Sequence, residues 1–454
     1  MAKKEPLDLE AFYKSLDGKN ALPLEPGSPF YVPIHTDRAK DPILELRTRI
    51  KYTASESVHL LTGFRGNGKS TELRRLKKLL EDQGNKVFLV DMLDYMIMTK
   101  PVELSDFILS LMAALAEAVK EEADLDAVRE GYWERLSKFL QSEVELDGVK
   151  IGTSEDAVKA ELALKLKTDP SFKQAIQKHL CGLLTTLVEQ AREFVIGVVG
   201  ALRKREKNPD LKVVFLVDSL ERLRGVGRDA PKVYESVVEL FSAQAPNLSL
   251  PLLHVVYTIP PYLTPMAGNI SRGFGGHPIS SWPNVHVRDD KGGDDDKGME
   301  IMEALIAKRY PGWTTVFDRA HLRRLARSSG GDIRNYFSLV RECLVLLDIT
   351  KRTRVEESML IRVEQQLQME ITPLAADDAL WLARIHDSKT TALKTIEDLP
   401  RLARFLDGNL IMNYQNGHPW YDVHPLLLDE IERHVKEDAA RRAAEAQSAP
   451  GPRS

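Results

Sequence analysis

Short hydrophobic runs alternate with longer amphipathic segments along most of the chain. Apolar residues recur at helical spacing in segments 70–80 and 104–121. Strands separated by helices predict an α/β fold with a parallel sheet. The runs typical of buried strands occupy residues 58–61, 86–91, 211–218, 252–258 and, more briefly, 284–287.

Changes in this pattern predict how the chain is organised. Residues 123–207 are almost all helical in pattern, with a weak strand pair near 144–151, and therefore indicate an insertion in the α/β core. The polar first segment predicts a loosely held arm, and the Ala/Arg/Pro-rich last segment predicts a disordered tail. The predicted units are an arm at 1–28, a core at 29–295, a helical segment at 296–370, a small domain at 371–436 and a tail at 437–454.

The net charge, the cysteines and the apolar segments indicate which partners and which cellular compartment to expect. A formal net charge of −4 over 454 residues gives no general basic field for nucleic acid, although a local basic patch stays open. Cys181 and Cys343 lie in apolar, helix-like runs, which predicts buried thiols in a reducing cytoplasm rather than a disulfide. There is no N-terminal signal-peptide pattern, and the apolar run at 194–200 is too short to cross a bilayer.

A glycine-rich segment follows the first predicted strand and fits the pattern G-x-x-x-x-G-K-[ST]. Its backbone N–H groups can surround an anion, Lys69 can reach the β- and γ-phosphates, and the Ser70 hydroxyl can bind Mg²⁺. A chance match is the alternative, but a strand before the segment and a helix after it favour a nucleoside-triphosphate loop. The predicted binding residues are Gly63, Phe64, Arg65, Gly66, Asn67, Gly68, Lys69, Ser70 and Thr71.

Two carboxylates follow the third predicted strand. Asp218 closes the strand, where a P-loop NTPase needs an acidic residue to hold hydrated Mg²⁺. Glu221 is the nearest candidate to polarise the attacking water. The alternative is that Asp218 caps the next turn while Glu221 pairs with Arg222 or Arg224. The phosphate loop favours the metal and catalytic roles.

Two further polar residues stand where they could face a bound nucleotide. Thr258 ends the fourth predicted strand, so it could touch the γ-phosphate or position water, or simply cap a turn. Arg334 falls in the first turn of a helix that Asp332 can cap. A guanidinium gains nothing from the dipole at that end of a helix, which favours an external anion such as phosphate over a surface ion pair.

These motifs resemble those of the AAA+ ATPases over roughly residues 30–350. Segments 63–71 and 213–218 match Walker A and Walker B, and Thr258 stands at the sensor-1 position. Segment 330–334, Gly-Gly-Asp-Ile-Arg, is similar to sensor 2 of the origin-recognition and helicase-loader branch. The resemblance implies a P-loop core, a helical lid at 296–370 that carries Arg334, and ATP with Mg²⁺ as ligands. An arginine finger is also expected, and Arg272 is the best-placed candidate, with an ordinary exposed arginine as the alternative.

The second motif departs from the usual AAA+ pattern. Ser219 follows Asp218, where the family usually has Glu, and the next acidic residue is Glu221. This spacing looks more like the Walker B of STAND-type signalling ATPases. The identity of the catalytic base therefore stays open.

The small C-terminal domain has the pattern of a winged helix. A helix is followed by two short strands around an Asn-Gly turn, which is a strong hairpin signal. A DNA-reading version needs a basic recognition helix and wing, but only Arg401 and Arg404 supply charge. Trp420 and Tyr421 fit packing as well as base stacking.

Two further metal sites are rejected. His418 and His424 make a poor site without a third ligand, and the acidic segment 289–298 lacks the closing Glu of a calcium loop.

The sequence thus predicts a cytoplasmic ATPase whose nucleotide state controls self-association or a protein partner, in signalling or defence. A DNA-associated loader or initiator and a nucleotide-gated scaffold with little turnover are the alternatives. DNA is not favoured as a partner, and no membrane is involved. The predicted catalytic residues are Lys69, Glu221, Thr258, Arg334 and Arg272, and the predicted metal ligands are Ser70 and Asp218.

Overall fold

A parallel β-sheet forms the centre of the molecule. Its five strands are hydrogen-bonded in the order β2-β3-β4-β1-β5, which confirms the predicted α/β fold. The strands are β1 (Ser57–Gly63), β2 (Lys86–Asp91), β3 (Val213–Asp218), β4 (Leu253–Ile259) and β5 (Ser280–Trp282). The computed structural model describes residues 8–17, 23–35, 37–123, 184–391, 393, 395–415 and 418–448.

The carboxyl ends of three adjacent strands meet at one edge of the sheet. β1 ends at Gly63, β3 ends at Asp218, and Thr258 is the penultimate residue of β4, which lies between the other two. All three strands are buried along their whole length, as is usual when helices cover both faces of a parallel sheet. Ligands of open parallel sheets bind beyond such ends.

The fifth strand lies elsewhere than the sequence predicts. Residues 284–287 are not a strand, and β5 is formed by Ser280–Trp282 instead. Val285 and Val287 are nevertheless buried, because this segment runs through the hydrophobic core of the helices that follow the sheet. Val285 N–H donates to Gly331 O at 3.2 Å. Its alternation of apolar residues therefore reflects packing in an irregular segment.

Helices cover both faces of the sheet. The second and third helices pack on one face, and the fourth, fifth and sixth pack on the other. Of the predicted helical insertion, residues 124–183 lie outside the described ranges, and so do the strand pair near 144–151 and Cys181. The helices are α1 (Leu9–Ser15), α2 (Pro42–Tyr52), α3 (Lys69–Glu81), α4 (Leu104–Ala123), α5 (Leu184–Arg205), α6 (Ala230–Phe241) and α7 (Ala267–Gly273).

Four helices after the sheet form a separate bundle with its own hydrophobic core, which we call the lid. The turn at Gly330 and Gly331 has left-handed backbone angles and separates the second helix of the lid from the third. The lid helices are α8 (Asp296–Arg309), α9 (Arg319–Ser328), α10 (Ile333–Thr350) and α11 (Glu357–Ile371).

The C-terminal domain contains three helices and an antiparallel strand pair, in which Ile411 pairs with Val423. The second helix of the domain packs against α6 of the core, so the domain is attached to the sheet side of the molecule. Its elements are α12 (Ala376–Ser388), α13 (Leu399–Asp407), β6 (Ile411–Tyr414), β7 (Trp420–Val423) and α14 (Leu428–Ser448).

Both chain ends are more ordered than predicted in the parts that are described. Instead of a loose arm, α1 packs on α10 of the lid, and Phe12 is fully buried in a stack on Tyr310 with ring centroids 4.4 Å apart. Instead of a disordered tail, α14 continues to Ser448. Alanine-rich sequence favours helix, and Arg442 adds an ion pair with Asp438 one turn away.

No helix within the described ranges has the length and apolar character needed to span a membrane.

Candidate nucleotide site

The phosphate loop connects β1 directly to α3. Gly66 and Gly68 have φ angles of +85° and +86°, which residues with a Cβ rarely adopt. Gly68 is the N-cap of α3, so the free N–H groups and positive dipole end of that helix face the loop. The glycines in the sequence motif therefore serve a backbone conformation that can surround an anion.

Strand β5 supports the phosphate loop through Trp282. Trp282 Nε1 donates to the backbone oxygen of Asn67 at 2.8 Å, and both residues are buried. A Cβ added at Gly63 would lie 2.4 Å from the backbone oxygen of Trp282, so only glycine fits there. The sequence did not predict this support, because β5 is distant from the motif and too short to give a pattern.

Lys69 is held inside the loop. Its side chain is only 3% exposed, and Nζ donates to Gly63 O at 2.8 Å and to Phe64 O at 2.5 Å. Nζ also lies 3.5 Å from Glu221 Oε1. Burial lowers the pKa of Lys69, while the charges of Glu221 and Asp218 oppose that shift. The ammonium group is therefore positioned at the centre of the two motifs.

The two predicted metal ligands face each other. The Ser70 hydroxyl is hydrogen-bonded to the carboxylate of Asp218, which is 5% exposed. Burial and the nearby Glu221 charge raise the pKa of Asp218, and the hydrogen bond from Ser70 opposes the rise. A hydroxyl and a carboxylate oxygen are ligands that Mg²⁺ prefers. The residues present therefore fit a magnesium ion beside the phosphates.

Glu221 reaches the site from a tight turn after β3. Ser219 has a left-handed φ of +71°, and the following 3-10 turn, Leu220–Arg222, directs Glu221 toward Lys69. Burial alone would raise the pKa of Glu221, but the charge of Lys69 and hydrogen bonds to the carboxylate more than offset it, so the pKa is lowered. Its Oε2 atom is buried without a hydrogen-bond partner in the described part of the chain. A backbone outlier next to a buried carboxylate is typical of functional sites.

Thr258 supports this turn. It is completely buried, its hydroxyl accepts from Leu220 N–H at 3.0 Å, and the same hydroxyl lies 3.3 Å from Val217 O. Thr258 thus fixes the turn that carries Glu221, which is not the turn before Pro260 that the sequence suggested it could cap. A contact with the γ-phosphate stays a prediction.

Arg334 comes from the lid and lies against the phosphate loop. A Cβ added at Gly66 would be 2.8 Å from Arg334 Cβ and 3.2 Å from Arg334 Nε. Asp332 is the N-cap of α10 and accepts from Asn335 N–H at 2.8 Å, which sets the start of the helix that carries Arg334. Arg334 is exposed, and its charge acts on the nearby Asp332 carboxylate. It is thus available to an external anion.

Lys69, Ser70, Glu221 and Arg334 border a cavity of about 420 Å³ between the core and the lid. Arg65 adds a further positive charge to its lining. Apolar and aromatic side chains from segment 30–34 and from the lid also line it. Such a mixed lining suits a ligand with an anionic part and a flat apolar part. The apolar and aromatic side chains are Phe30, Tyr31, Val32, Ile34, Leu305, Ile333 and Phe337.

A buried polar cluster that the sequence did not predict borders this cavity. Tyr31 OH donates to Glu72 Oε1 at 3.0 Å, and Arg75 also donates to Glu72. Burial raises the pKa of Glu72 to about 7, although Arg75 opposes the rise. This cluster joins segment 30–34 to α3, but no local sequence pattern links residues so far apart.

The remaining predicted residues lie near or outside this cavity. Thr71 Oγ1 accepts from Leu24 N–H at 3.0 Å and so holds the N-terminal segment on α3. Arg272 is exposed on α7 and does not border the cavity, so its role as an arginine finger stays a prediction. Cys343 is a buried free thiol.

His418 and His424, the two histidines considered as metal ligands, do not contact each other. His424 is buried, and its ring accepts from Leu426 N–H, whereas His418 is exposed near Asp290. Across the described ranges, no group of three or more His, Cys, Asp or Glu residues could hold a metal ion.

The chain thus combines a parallel sheet covered by helices, a phosphate loop between β1 and α3, and a lid that contributes an arginine. No protein-family model and no curated protein matches the chain.

Several solved structures are similar to the chain at low sequence identity. Cdc6p from Pyrobaculum aerophilum is 13% identical, with 95% of this chain and 99% of that chain covered and a TM-score of 0.39. The ADP form of Aeropyrum pernix ORC2 is 11% identical, with 95% and 98% covered and a TM-score of 0.41. Aeropyrum pernix ORC1 in complex with DNA is 12% identical, with 94% and 97% covered and a TM-score of 0.36. The activity is therefore inferred from the geometry of the cavity.

Proposed function

We propose that the protein binds ATP with Mg²⁺ in the cavity between core and lid and hydrolyses the γ-phosphate. One observation carries the proposal: Lys69, Ser70, Glu221 and Arg334 all border the same cavity, and Asp218 is hydrogen-bonded to Ser70. Each group has the chemistry that phosphoryl transfer requires, which is mainly positioning and charge stabilisation. A purely structural ion-pair cluster would not need an exposed lid arginine against a glycine loop.

Binding would use donors that are already in place. The N–H groups of the loop and the start of α3 would hold the phosphate oxygens. Lys69 Nζ would exchange its contacts with the Gly63 and Phe64 carbonyl groups for phosphate oxygens. Ser70 and Asp218 would hold Mg²⁺, which would supply positive charge to offset the negative charge that develops during phosphoryl transfer.

Glu221 is the residue best placed to act on the attacking water. Its lowered pKa keeps the carboxylate ionised near neutral pH, as a proton acceptor requires. Its Oε2 atom is free of other hydrogen bonds within the described ranges. The acidic residue three positions after Asp218 would thus take the role that usually belongs to the residue directly after it, which is Ser219 here.

The position of Arg334 makes the nucleotide a switch. This residue belongs to the lid, whereas the phosphate loop belongs to the core. A γ-phosphate that attracts Arg334 would therefore favour a closed lid, and ADP would favour it less. The difference between the two states is what a partner would recognise.

A loader or initiator role on DNA is the second candidate function. The contact of Arg334 with the phosphate loop supports it, because that is what the sensor-2 resemblance implies. The C-terminal hairpin does not add support. Trp420 is buried against Tyr414, and Arg401 and Arg404 both pair with Asp378. A signalling or defence switch is supported by the position of Glu221, and a scaffold with little turnover by Ser219.

Steady-state phosphate release tests the proposal. We expect wild-type protein to release phosphate from ATP in the presence of Mg²⁺, and Lys69→Ala to abolish ATP binding and release. Lys78→Ala is the matched control, because Lys78 lies on the same helix but is exposed and pairs with Asp82. Equal release by Lys69→Ala and wild type would contradict the proposed site. No ATP uptake by wild type in calorimetry would remove the proposed function altogether.

Salt-dependent retention on duplex DNA separates the candidate roles. A loader should bind DNA with an affinity that falls steeply with salt and that differs between ATP and ADP. A protein-directed switch should instead change its mass in light scattering with nucleotide and ignore DNA. Binding without measurable turnover would favour the scaffold.

A further inference from the structure

One short turn of the C-terminal domain contacts Asp332, which caps the helix that carries Arg334. This turn, Asp407–Gly408–Asn409, follows α13 and is called the 407–409 turn below. Helix α13 packs on α6 and on the segment after β4, so the turn is held firmly against the core. It contacts the N-cap of α10 through Asn409, and the charge of Asp407 acts on Arg65 of the phosphate loop.

The first contact is electrostatic and involves the phosphate loop. Asp407 Oδ2 accepts from Tyr234 OH at 3.0 Å. Burial raises the pKa of Asp407 to about 7, and the Tyr234 hydrogen bond and the charge of Arg65 oppose the rise. Arg65 in turn borders the cavity and lies near Arg222 O. A carboxylate of the C-terminal domain is therefore within electrostatic reach of a phosphate-loop guanidinium.

The second contact involves the N-cap of α10. Asn409 Nδ2 donates to Asp332 Oδ2 at 3.4 Å, while Asp332 Oδ1 holds the N–H of Asn335. Asn409 has a left-handed φ of +55°, which aims its amide at this carboxylate. Arg334 lies in the first turn of the capped helix. A shift of the 407–409 turn therefore acts on the helix start that sets the position of Arg334.

The adjoining β6–β7 hairpin also contacts the turn before α10. Tyr414 OH donates to Gly330 O at 2.7 Å, and both groups are buried. A Cβ added at Gly330 would lie 3.1 Å from Met412 Cγ. The turn before α10 is thus enclosed by side chains of the C-terminal domain.

We propose that the 407–409 turn positions Arg65 and Arg334, with Asp407 and Asn409 acting as positioning residues, so that the C-terminal domain senses which nucleotide occupies the cavity. This inference rests on the proposed function, since it assigns the regulation of that same site. Binding and docking must then be coupled in both directions. ATP would strengthen the docking of α13 and the hairpin, and loosening the turn would weaken the preference for ATP over ADP.

Asn409→Gly is the sharpest test of the turn. Glycine tolerates the left-handed angle, so the substitution removes the amide without straining the backbone. Lys351→Gly is the matched control, because Lys351 has a φ of +55°, is exposed and follows the far end of α10. Asp407→Asn is a second variant that keeps the hydrogen bond with Tyr234 and removes only the charge.

Calorimetry with ATP and with ADP, each with Mg²⁺, measures the effect on the full chain. We expect Asn409→Gly to lower the preference for ATP over ADP by at least about fivefold and to leave ADP affinity nearly unchanged. A merely structural role would weaken both nucleotides alike or lower only the melting temperature. Lys351→Gly should match wild type.

Hydrogen exchange of residues 399–414 supplies an independent readout. In wild type, ATP should slow exchange there more than ADP does, and Asn409→Gly and Asp407→Asn should reduce that difference. If wild type binds ATP but the variants match it in both measurements, the inference is wrong and the proposed function stands. If wild type binds no nucleotide, both are wrong.

Discussion

Arg334 of the lid packs against Gly66 of the phosphate loop so closely that a methyl group at residue 66 would lie 2.8 Å from Arg334 Cβ. Two segments more than 260 positions apart in the chain thus meet at the point where a phosphate would bind.

Removal of the lid arginine should affect ATP more than ADP. We expect Arg334→Ala to weaken ATP binding by about tenfold or more, because a hydrogen bond to a charged group contributes about 1.5–3 kcal/mol. ADP lacks the γ-phosphate and should lose little. Calorimetry measures both affinities, with the exposed Arg352→Ala as control. A uniform loss for both nucleotides would place Arg334 elsewhere on the ligand.

Replacing each of the two left-handed glycines of the loop with alanine should lower the stability of the protein by different amounts. Gly66→Ala and Gly68→Ala share nearly the same φ, but only residue 66 has neighbours within 4 Å of an added Cβ. Backbone strain should lower the free energy of unfolding of both variants by about 1–2 kcal/mol. Overlap with Arg334 should lower that of Gly66→Ala by about 1–3 kcal/mol more. Chemical unfolding of the nucleotide-free protein measures this. Equal losses would mean that the lid does not rest on the loop in solution.

Glu221→Gln should separate binding from hydrolysis. The amide keeps the size of the side chain but cannot accept a proton, so we expect phosphate release to fall by about 100-fold or more. ATP binding should persist, since Lys69 and the loop are unchanged. Rapid filtration for binding and phosphate release for turnover give the two values. Unchanged turnover would shift the role of base to another group.

Asp332 should make stability depend on pH. Burial raises its pKa to about 6 from 3.8, so between about pH 4 and 6 the folded protein holds a proton that the unfolded chain has released. This group therefore stabilises the fold less as the pH rises through that window, by up to about 3 kcal/mol. Asp332→Asn should remove this decline and keep the helix cap.

Urea unfolding between pH 4 and 8 measures the effect. Asp318→Asn is the control, because Asp318 precedes another lid helix but is exposed. If Asp332→Asn and wild type have parallel stability profiles, the Asp332 carboxylate ionises normally in the fold.

The parts of the site that the sequence could predict are those encoded by neighbouring residues. The loop around Lys69 needs glycines at fixed spacing, and Asp218 ends an unbroken apolar run, so each leaves a local pattern. The structure then brings Ser70 to Asp218 and Lys69 to Glu221, as the motifs require.

The parts that the sequence could not predict depend on contacts between distant segments. Trp282 supports Asn67, and Asn409 contacts Asp332, yet nothing near either residue marks it as part of the site. The sequence does not predict the short helix α1 either, because seven residues form a stable helix only when packing supports them. The apolar alternation at 284–287 predicted a strand because burial without sheet pairing gives the same pattern.

The docking of α1 limits how far the lid can travel. Asp17 is paired with Arg341 on the lid, and Leu24 is hydrogen-bonded to Thr71 on the core. The seven residue steps between these two anchors can extend to about 25 Å at most. While both anchors hold, the length of chain between Asp17 and Leu24 sets an upper limit on how far the lid could separate from α3 at this point.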